Sequence, residues 1–194
     1  MITNTPFAIK VYQDSFPEYD AHKQAVLDAL ENFRNNNPSV TRSNNGGYQS
    51  PATLGTVAEM QPIFKTIADT AGIALADFNI PFQRIEFESA WLNVNRGQGS
   101  HNQVHIHDGI LSGVFYISAP PGSGQLHIMN PGMNVLWQGH QRTHSPNEHT
   151  AEVAHITPRD GDFYLWPSYI PHSVDTNSQQ DCERVSISFN ISVA

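Results

Sequence analysis

Cysteine is almost missing from this chain: Cys182 stands alone among 194 residues. One thiol cannot build an internal disulfide framework, and its isolation fits a reducing compartment, so a cytoplasmic protein is expected. Positive charge is also short. Ten Lys and Arg face 18 Asp and Glu, for a formal net charge of −8. That balance disfavours a nucleic-acid backbone or an anionic membrane as a general partner. No run approaches the roughly 20 apolar residues of a membrane helix, and the opening residues lack a basic stretch followed by an apolar one. Neither a membrane span nor a secretion signal is expected. Phosphate-cradling glycine loops, paired CxxC zinc motifs and nucleophile elbows are absent too. Hydrophobic residues make up 39% and charged residues 14%, a balance that suits one folded domain. What the chain has in quantity is histidine, ten residues against ten Lys plus Arg, and metal chemistry is the first thing to test.

The pattern divides the chain in two. Residues 6–12 alternate apolar and polar and predict an opening strand. A helix then begins near Pro17-Glu18-Tyr19-Asp20, with Ala21, Ala25, Val26, Ala29, Leu30 and Phe33 as its apolar face. It stops at Asn35-Asn36-Asn37-Pro38. Residues 41–51 are polar and glycine-bearing and read as a loop. A second helix is expected over about 57–71, packing through Met60, Ile63, Phe64, Ile67 and Ala68 and closed by Gly72. After Asp77, short β-rich runs dominate: 84–94, 105–117, 125–129, 152–156, 162–166 and 185–193. Without helical periodicity between them, these runs predict an antiparallel sandwich or barrel. The segment 130–150 reads as a long loop over one mouth of the sheet, a cover for the substrate entrance. Its bland alternative is an ordinary packed insertion. One domain spanning 1–194 is expected, with helical support over 1–76 and a β core over about 77–194.

Three features of the β half point to chemistry. His105 and His107 stand two apart, so on a strand both imidazoles face one side and can reach one metal ion. His172 follows a hydrophobic strand ending in Pro167-Ser168. Arg184 and Ser186 open the last strand and share a face by the same rule, 12 and 14 residues after His172. Each alone is weak, since HxH pairs arise by chance and an Arg near a chain end is usually solvated. In this order and on strands they carry more.

The set resembles the Fe(II)/2-oxoglutarate-dependent oxygenase superfamily, and within it a bacterial and phage subgroup. The resemblance covers about 84–194. It rests on Trp91-Leu92-Asn93-Val94-Asn95, on His105 and His107, and on Ser112-Gly113-Val114-Phe115-Tyr116. It rests also on Gly161-Asp162-Phe163, Trp166-Pro167-Ser168, His172-Ser173-Val174 and the run from Glu183 to Asn190. A double-stranded β-helix (jelly roll, cupin-like) with supporting N-terminal helices is what it implies. It also implies one Fe(II) bound by two histidines and a third ligand, and 2-oxoglutarate as co-substrate with its far carboxylate on Arg184 and Ser186. Asn93 could hydrogen-bond cofactor or substrate, and a turn role suits it as well. The expected activity is a dioxygenase, specifically a hydroxylase, acting on a small molecule or a peptide. The sequence leaves the oligomeric state open, a homodimer included.

The third ligand position departs from the superfamily, where His-x-Asp or His-x-Glu is usual. His107 can serve, giving a face of three neutral imidazoles. Asp108 can replace it if the strand bulges there. Or the site holds a metal without oxygenase activity. Period-2 geometry favours His107. Two other functions compete: a cupin-like metal protein without 2-oxoglutarate chemistry, and a non-enzymatic jelly-roll binding module. Trp91, Phe115, Tyr116, Phe163, Tyr164 and Trp166 read as core packing. His101, His127, His140, His144, His149 and His155 read as surface or loop residues.

Overall fold

The structure, a computed structural model, describes residues 9–97, 99–132 and 151–194. Strand β1 (Tyr12–Ser15) precedes helix α1 (Tyr19–Asn36) and the two-residue strands β2 (Asn44–Asn45) and β3 (Tyr48–Gln49). Two 3-10 turns, Leu54–Thr56 and Ala58–Met60, lead into α2 (Gln61–Asp77). Eight strands follow: β4 (Ile85–Arg96), β5 (His101–His105), β6 (Leu111–Ser118), β7 (Leu126–Met129), β8 (Val153–Ile156), β9 (Asp162–Pro167), β10 (His172–Val174) and β11 (Glu183–Val193). They form two sheets, β1-β9-β6-β11-β4-β3 and β2-β5-β10-β7-β8, with every strand pair antiparallel. This is the jelly roll with supporting helices that the sequence predicts.

The larger sheet is buried on both faces, and the period of two sorts its side chains. Leu92 and Val94 of β4, Phe115 and Ile117 of β6, Phe163 and Leu165 of β9, and Ile187, Phe189 and Ile191 of β11 share one core with both helices. The alternate residues turn between the sheets. There Val114, Tyr116, Tyr164 and Trp166 meet Leu126 and Ile128 of the smaller sheet. The β11 residues on that face are Arg184, Ser186, Ser188 and Asn190, all polar. The apolar face carries the fold, which leaves the inter-sheet face of β11 free to be chemical.

The helices differ in detail from expectation. In α1 the packed stripe is Val26, Leu27, Leu30 and Phe33, while Ala21 and Ala25 stay exposed. Alanine loses little by exposure and helps the helix by propensity. Helix α2 starts later and runs further than predicted, so Gly72 lies inside it. The stop is made by Asn79, at φ 57. Its N–H donates to the Ala76 carbonyl (3.0 Å) and that of Ile80 to Leu75 (2.9 Å). That pair of bonds satisfies the last carbonyls, and Asn tolerates the left-handed conformation it needs.

At the N-terminus the strand is Tyr12–Ser15, paired with β9. The predicted 6–12 strand meets it only at Tyr12, and residues 9–11 are not strand. The predicted loop 41–51 contributes an edge to each sheet, β2 on β5 and β3 on β4. The expected cover over 130–150 lies outside the described residues from 133 to 150, with His140, His144 and His149. No helix among the described residues is long and apolar enough to cross a membrane.

Candidate metal centre

His105 ends β5 and His172 begins β10, and the two are direct cross-strand partners. Their rings lie 4.3 Å apart between centroids. His107 is not on their strand. The sequence predicts one strand through 105–117, but the chain leaves the smaller sheet after His105 and enters the larger one at Leu111. Gly109, at φ 105, lies within that crossing. His107 is fixed instead by its own N–H, which donates to the Ser168 carbonyl (3.1 Å). Its ring comes to 4.8 Å from His105 and 5.1 Å from His172. One nitrogen from each of the three imidazoles lies within 4.8 Å of the others. Period-2 geometry is therefore the wrong reason for this meeting; a sheet-to-sheet crossover brings it about.

Proton positions follow from the neighbours. His105 Nδ1 faces the Gln103 carbonyl at 2.7 Å, and His172 Nδ1 faces the Ile170 carbonyl at 2.9 Å. A carbonyl only accepts, so each Nδ1 carries the proton and each Nε2 offers its lone pair. Such outer hydrogen bonds orient metal-binding imidazoles. Burial pushes the His172 pKa down to about 3, with repulsion from His105 adding to it. Burial brings His107 down to about 4, again with His105 adding, while Asp108 opposes. His105 is lowered by burial as well. At neutral pH all three are uncharged, the state that can donate to a cation. Asp108 is exposed and stands outside the cluster.

The same cleft continues inward to Arg184, which is 1% exposed. Among the described residues no carboxylate pairs with it. Its Nη1 donates to the Ser123 carbonyl (3.1 Å), and its Nε has no partner. Burial lowers its pKa, opposed by Tyr116 and Asp175, yet a guanidinium keeps its proton. Around it other buried polar atoms are unmatched: the Tyr116 hydroxyl, Trp166 Nε1 and Asn93 Oδ1. Burial pushes the Tyr116 pKa up to about 12, so its hydroxyl stays a donor. Ser186 lines the cleft and is the register partner of both Asn93 and Tyr116. A buried cation without an anion is costly, and so is each unmade hydrogen bond. The chemistry of this donor set suits an acceptor-rich anion such as a carboxylate, and the cleft it lines also reaches the three histidines. Gly124 makes the room. It sits at φ 99, and a Cβ there would lie 2.9 Å from Arg184 Nη1.

Of the residues the sequence singles out, His105, His107, His172, Asn93, Arg184 and Ser186 all line one cleft, and Asp108 does not. Asn93 donates to Ser188 Oγ (3.0 Å) and Asn95 to Asn102 Oδ1 (3.1 Å). Neither forms a turn. Sequence reasoning missed Tyr116 and Trp166, read as packing alone. Tyr116 shares a face with Ser186 because the two are register partners, a pairing that the sequence does not display. His127 and His155, read as surface or loop residues, are cross-strand partners on β7 and β8 with ring centroids 4.5 Å apart.

Similarity to known proteins agrees with this geometry. A prolyl-4-hydroxylase from Pseudomonas putida superposes with a TM-score of 0.66 at 13% identity, covering 96% of this chain and 94% of the other. The α-ketoglutarate-dependent epimerase SnoN of nogalamycin biosynthesis gives 0.66 at 15% identity, covering 96% and 79%. A viral collagen prolyl hydroxylase of Paramecium bursaria Chlorella virus-1 gives 0.59 at 12%, covering 95% and 96%. At these identities the likeness is one of fold. No curated protein sequence matches the chain. Residues 89–190 match the family model described as "Putative 2OG-Fe(II) oxygenase". That span is just over half of the sequence and runs from β4 to β11, and by it the chain belongs to the 2OG-Fe(II) oxygenase family.

Proposed function

We propose that the protein is an Fe(II)- and 2-oxoglutarate-dependent dioxygenase that hydroxylates a small-molecule or peptide substrate. The carrying observation is Arg184, a buried guanidinium with no counter-anion among the described residues, in one cleft with three neutral histidines. His105, His107 and His172 are the residues that would hold the iron, and His107 is preferred to the exposed Asp108. Arg184, Ser186 and Tyr116 would hold the far carboxylate of 2-oxoglutarate, with Asn93 beside them. A planar guanidinium meets a carboxylate through two parallel hydrogen bonds. When bound, iron and 2-oxoglutarate supply the oxidation: one C–H bond, O₂ and 2-oxoglutarate give an alcohol, succinate and CO₂. The chain's part is to orient and to exclude. The Gln103 and Ile170 carbonyls fix two imidazole rings, and Trp91 and Trp166 pack against His107 and His172 with centroids at 5.4 and 4.8 Å.

Anaerobic titration with Fe(II) and then 2-oxoglutarate tests this reading. A weak visible charge-transfer band should appear in the native protein and be lost in Arg184→Ala. The all-histidine face favours one other reading, a cupin-like metal protein without 2-oxoglutarate. Metal binding with no band, and no change in thermal stability on adding 2-oxoglutarate, would select it.

A further inference from the structure

A second cleft, of about 610 Å³, opens beside the metal centre between residues 40–52 and the segment that carries His105 and His107. Its volume falls in the range of small-ligand sites. Val40, Pro51, Trp91 and Ile106 give it apolar walls. Although the chain is acidic overall, among the described residues no carboxylate lines this cleft. One cation does. Arg34, Arg84 and Arg96 each sit on a carboxylate, whereas among the described residues none pairs with the Arg42 guanidinium. A second unmet group stands nearby on β3. Gln49 is 7% exposed, and its Oε1 is buried without a partner among the described residues. Its backbone carbonyl accepts from the Val40 N–H (2.9 Å), which ties the Gln49 strand to the chain leading into Arg42.

We propose that this cleft is the substrate site and that it selects a carboxylate-bearing amide. Arg42 holds the carboxylate, Gln49 pairs with the amide, and the apolar walls take a hydrocarbon side chain. A primary amide offers one donor and one acceptor side by side, which complements the N–H and C=O of a peptide-type group. An exposed guanidinium steers an anion inward and anchors it at the rim. The substrate class is thus an acylated amino acid, or the C-terminal residue of a peptide, placed against the imidazoles. This assignment rests on the oxygenase reading for its meaning as a substrate site.

The test is a binding measurement that needs no turnover. Full-length protein carrying Zn(II) is titrated calorimetrically with N-acetyl-leucine, with N-acetyl-leucinamide and with 4-methylpentanoate. N-acetyl-leucine should bind at least tenfold tighter than either control. Arg42→Ala, a change at an exposed position, should remove its advantage over the neutral amide. Gln49→Leu should remove its advantage over the simple acid. An acetylated tripeptide with a free C-terminal carboxylate separates the two sources: tighter binding of the tripeptide assigns a chain end, weaker binding a free acyl amino acid. Equal affinity for acid and neutral amide overturns the proposal. So does undiminished binding in Arg42→Ala, no binding of either carboxylate-bearing amide, or preference for a nucleoside monophosphate. Loss of the Fe(II)–2-oxoglutarate band with N-acetyl-leucine binding intact would sink the oxygenase reading alone.

Discussion

His105 and His172 are cross-strand partners at the ends of two different strands, so the pairing of β5 with β10 sets their separation. His107 is held by a backbone bond to Ser168 and by Trp91 against its ring. The two kinds of support differ, but each histidine contributes one nitrogen to the same cluster, so the same loss is expected from each. His105→Ala and His172→Ala each remove a ligand whose partner stays in register, and Co(II) or Zn(II) affinity should fall by at least the 10–100-fold typical of disturbed outer contacts. His107→Ala should fall as far. Asp108→Ala should change affinity little, because Asp108 lies outside the cluster. Calorimetric titration of the four variants checks this. Full metal occupancy in His107→Ala with loss in Asp108→Ala would restore the two-histidine, one-carboxylate set.

Acid should destabilise the metal-free protein in a definite window. An imidazole with pKa 6.5 unfolded and about 3 or 4 folded binds fewer protons in the folded chain between those values. Stability then rises with pH in that interval, so it is fully present above 6.5 and lost as pH falls towards 4 and 3. Asp77 and Asp160, lowered from 3.8, respond only below that value. Urea midpoints of metal-free protein should drop from pH 7 to 5. His172→Gln should flatten the slope, since that position no longer titrates. An equally steep slope in the variant would assign the effect elsewhere.

How much of this was legible in the sequence follows from which forces are local. The apolar run in 162–166, the alternation in 185–193 and the apolar stripe of α1 are local signals, and their elements lie where expected within a few residues. The site residues were legible because His105, His107, His172, Arg184 and Ser186 keep an order that resembles a known family. The crossover after His105 was not legible. It depends on which sheet each half joins, a long-range matter that β propensity does not encode. The two-residue strands β2 and β3 were too short to show a period. The cleft donors Tyr116 and Trp166 were hidden by their own chemistry, as aromatic rings that also fill a core.

Gly72 was a plausible helix stop and Asn79 the real one. At φ 57 a residue without a local polar side chain is strained, and the left-handed conformation costs about 1–2 kcal/mol. Asn79→Ala should therefore lower stability by about 1 kcal/mol, or a few degrees in Tm for a chain of this size. Asn79→Gly should leave it within about 0.5 kcal/mol, since glycine adopts this conformation freely. Thermal unfolding of both variants is the measurement. Equal loss in the two would mean that the Asn79 side chain acts through some contact other than backbone preference.

Arg184 predicts opposite effects on stability and on ligand binding. In the ligand-free protein it is a buried charge with no carboxylate on it among the described residues, and an apolar side chain of similar volume is spared its desolvation cost. Arg184→Met should thus melt at or above the native protein when neither metal nor 2-oxoglutarate is present. Native protein should gain stability with added 2-oxoglutarate, about 2.7 kcal/mol at a hundredfold excess over Kd. The variant should gain none. Gly124→Ala should behave in the reverse sense. Its Cβ would press on Arg184 Nη1 and, at 2.4 Å, on the Asp175 carbonyl at a φ of 99. Strain of that kind costs about 1–3 kcal/mol, so this variant should melt lower than native protein and bind 2-oxoglutarate more weakly. Scanning calorimetry with and without 2-oxoglutarate reads both. If Arg184→Met melts well below native protein, the guanidinium already has its counter-charge within the fold, and the case for an anion in the cleft fails.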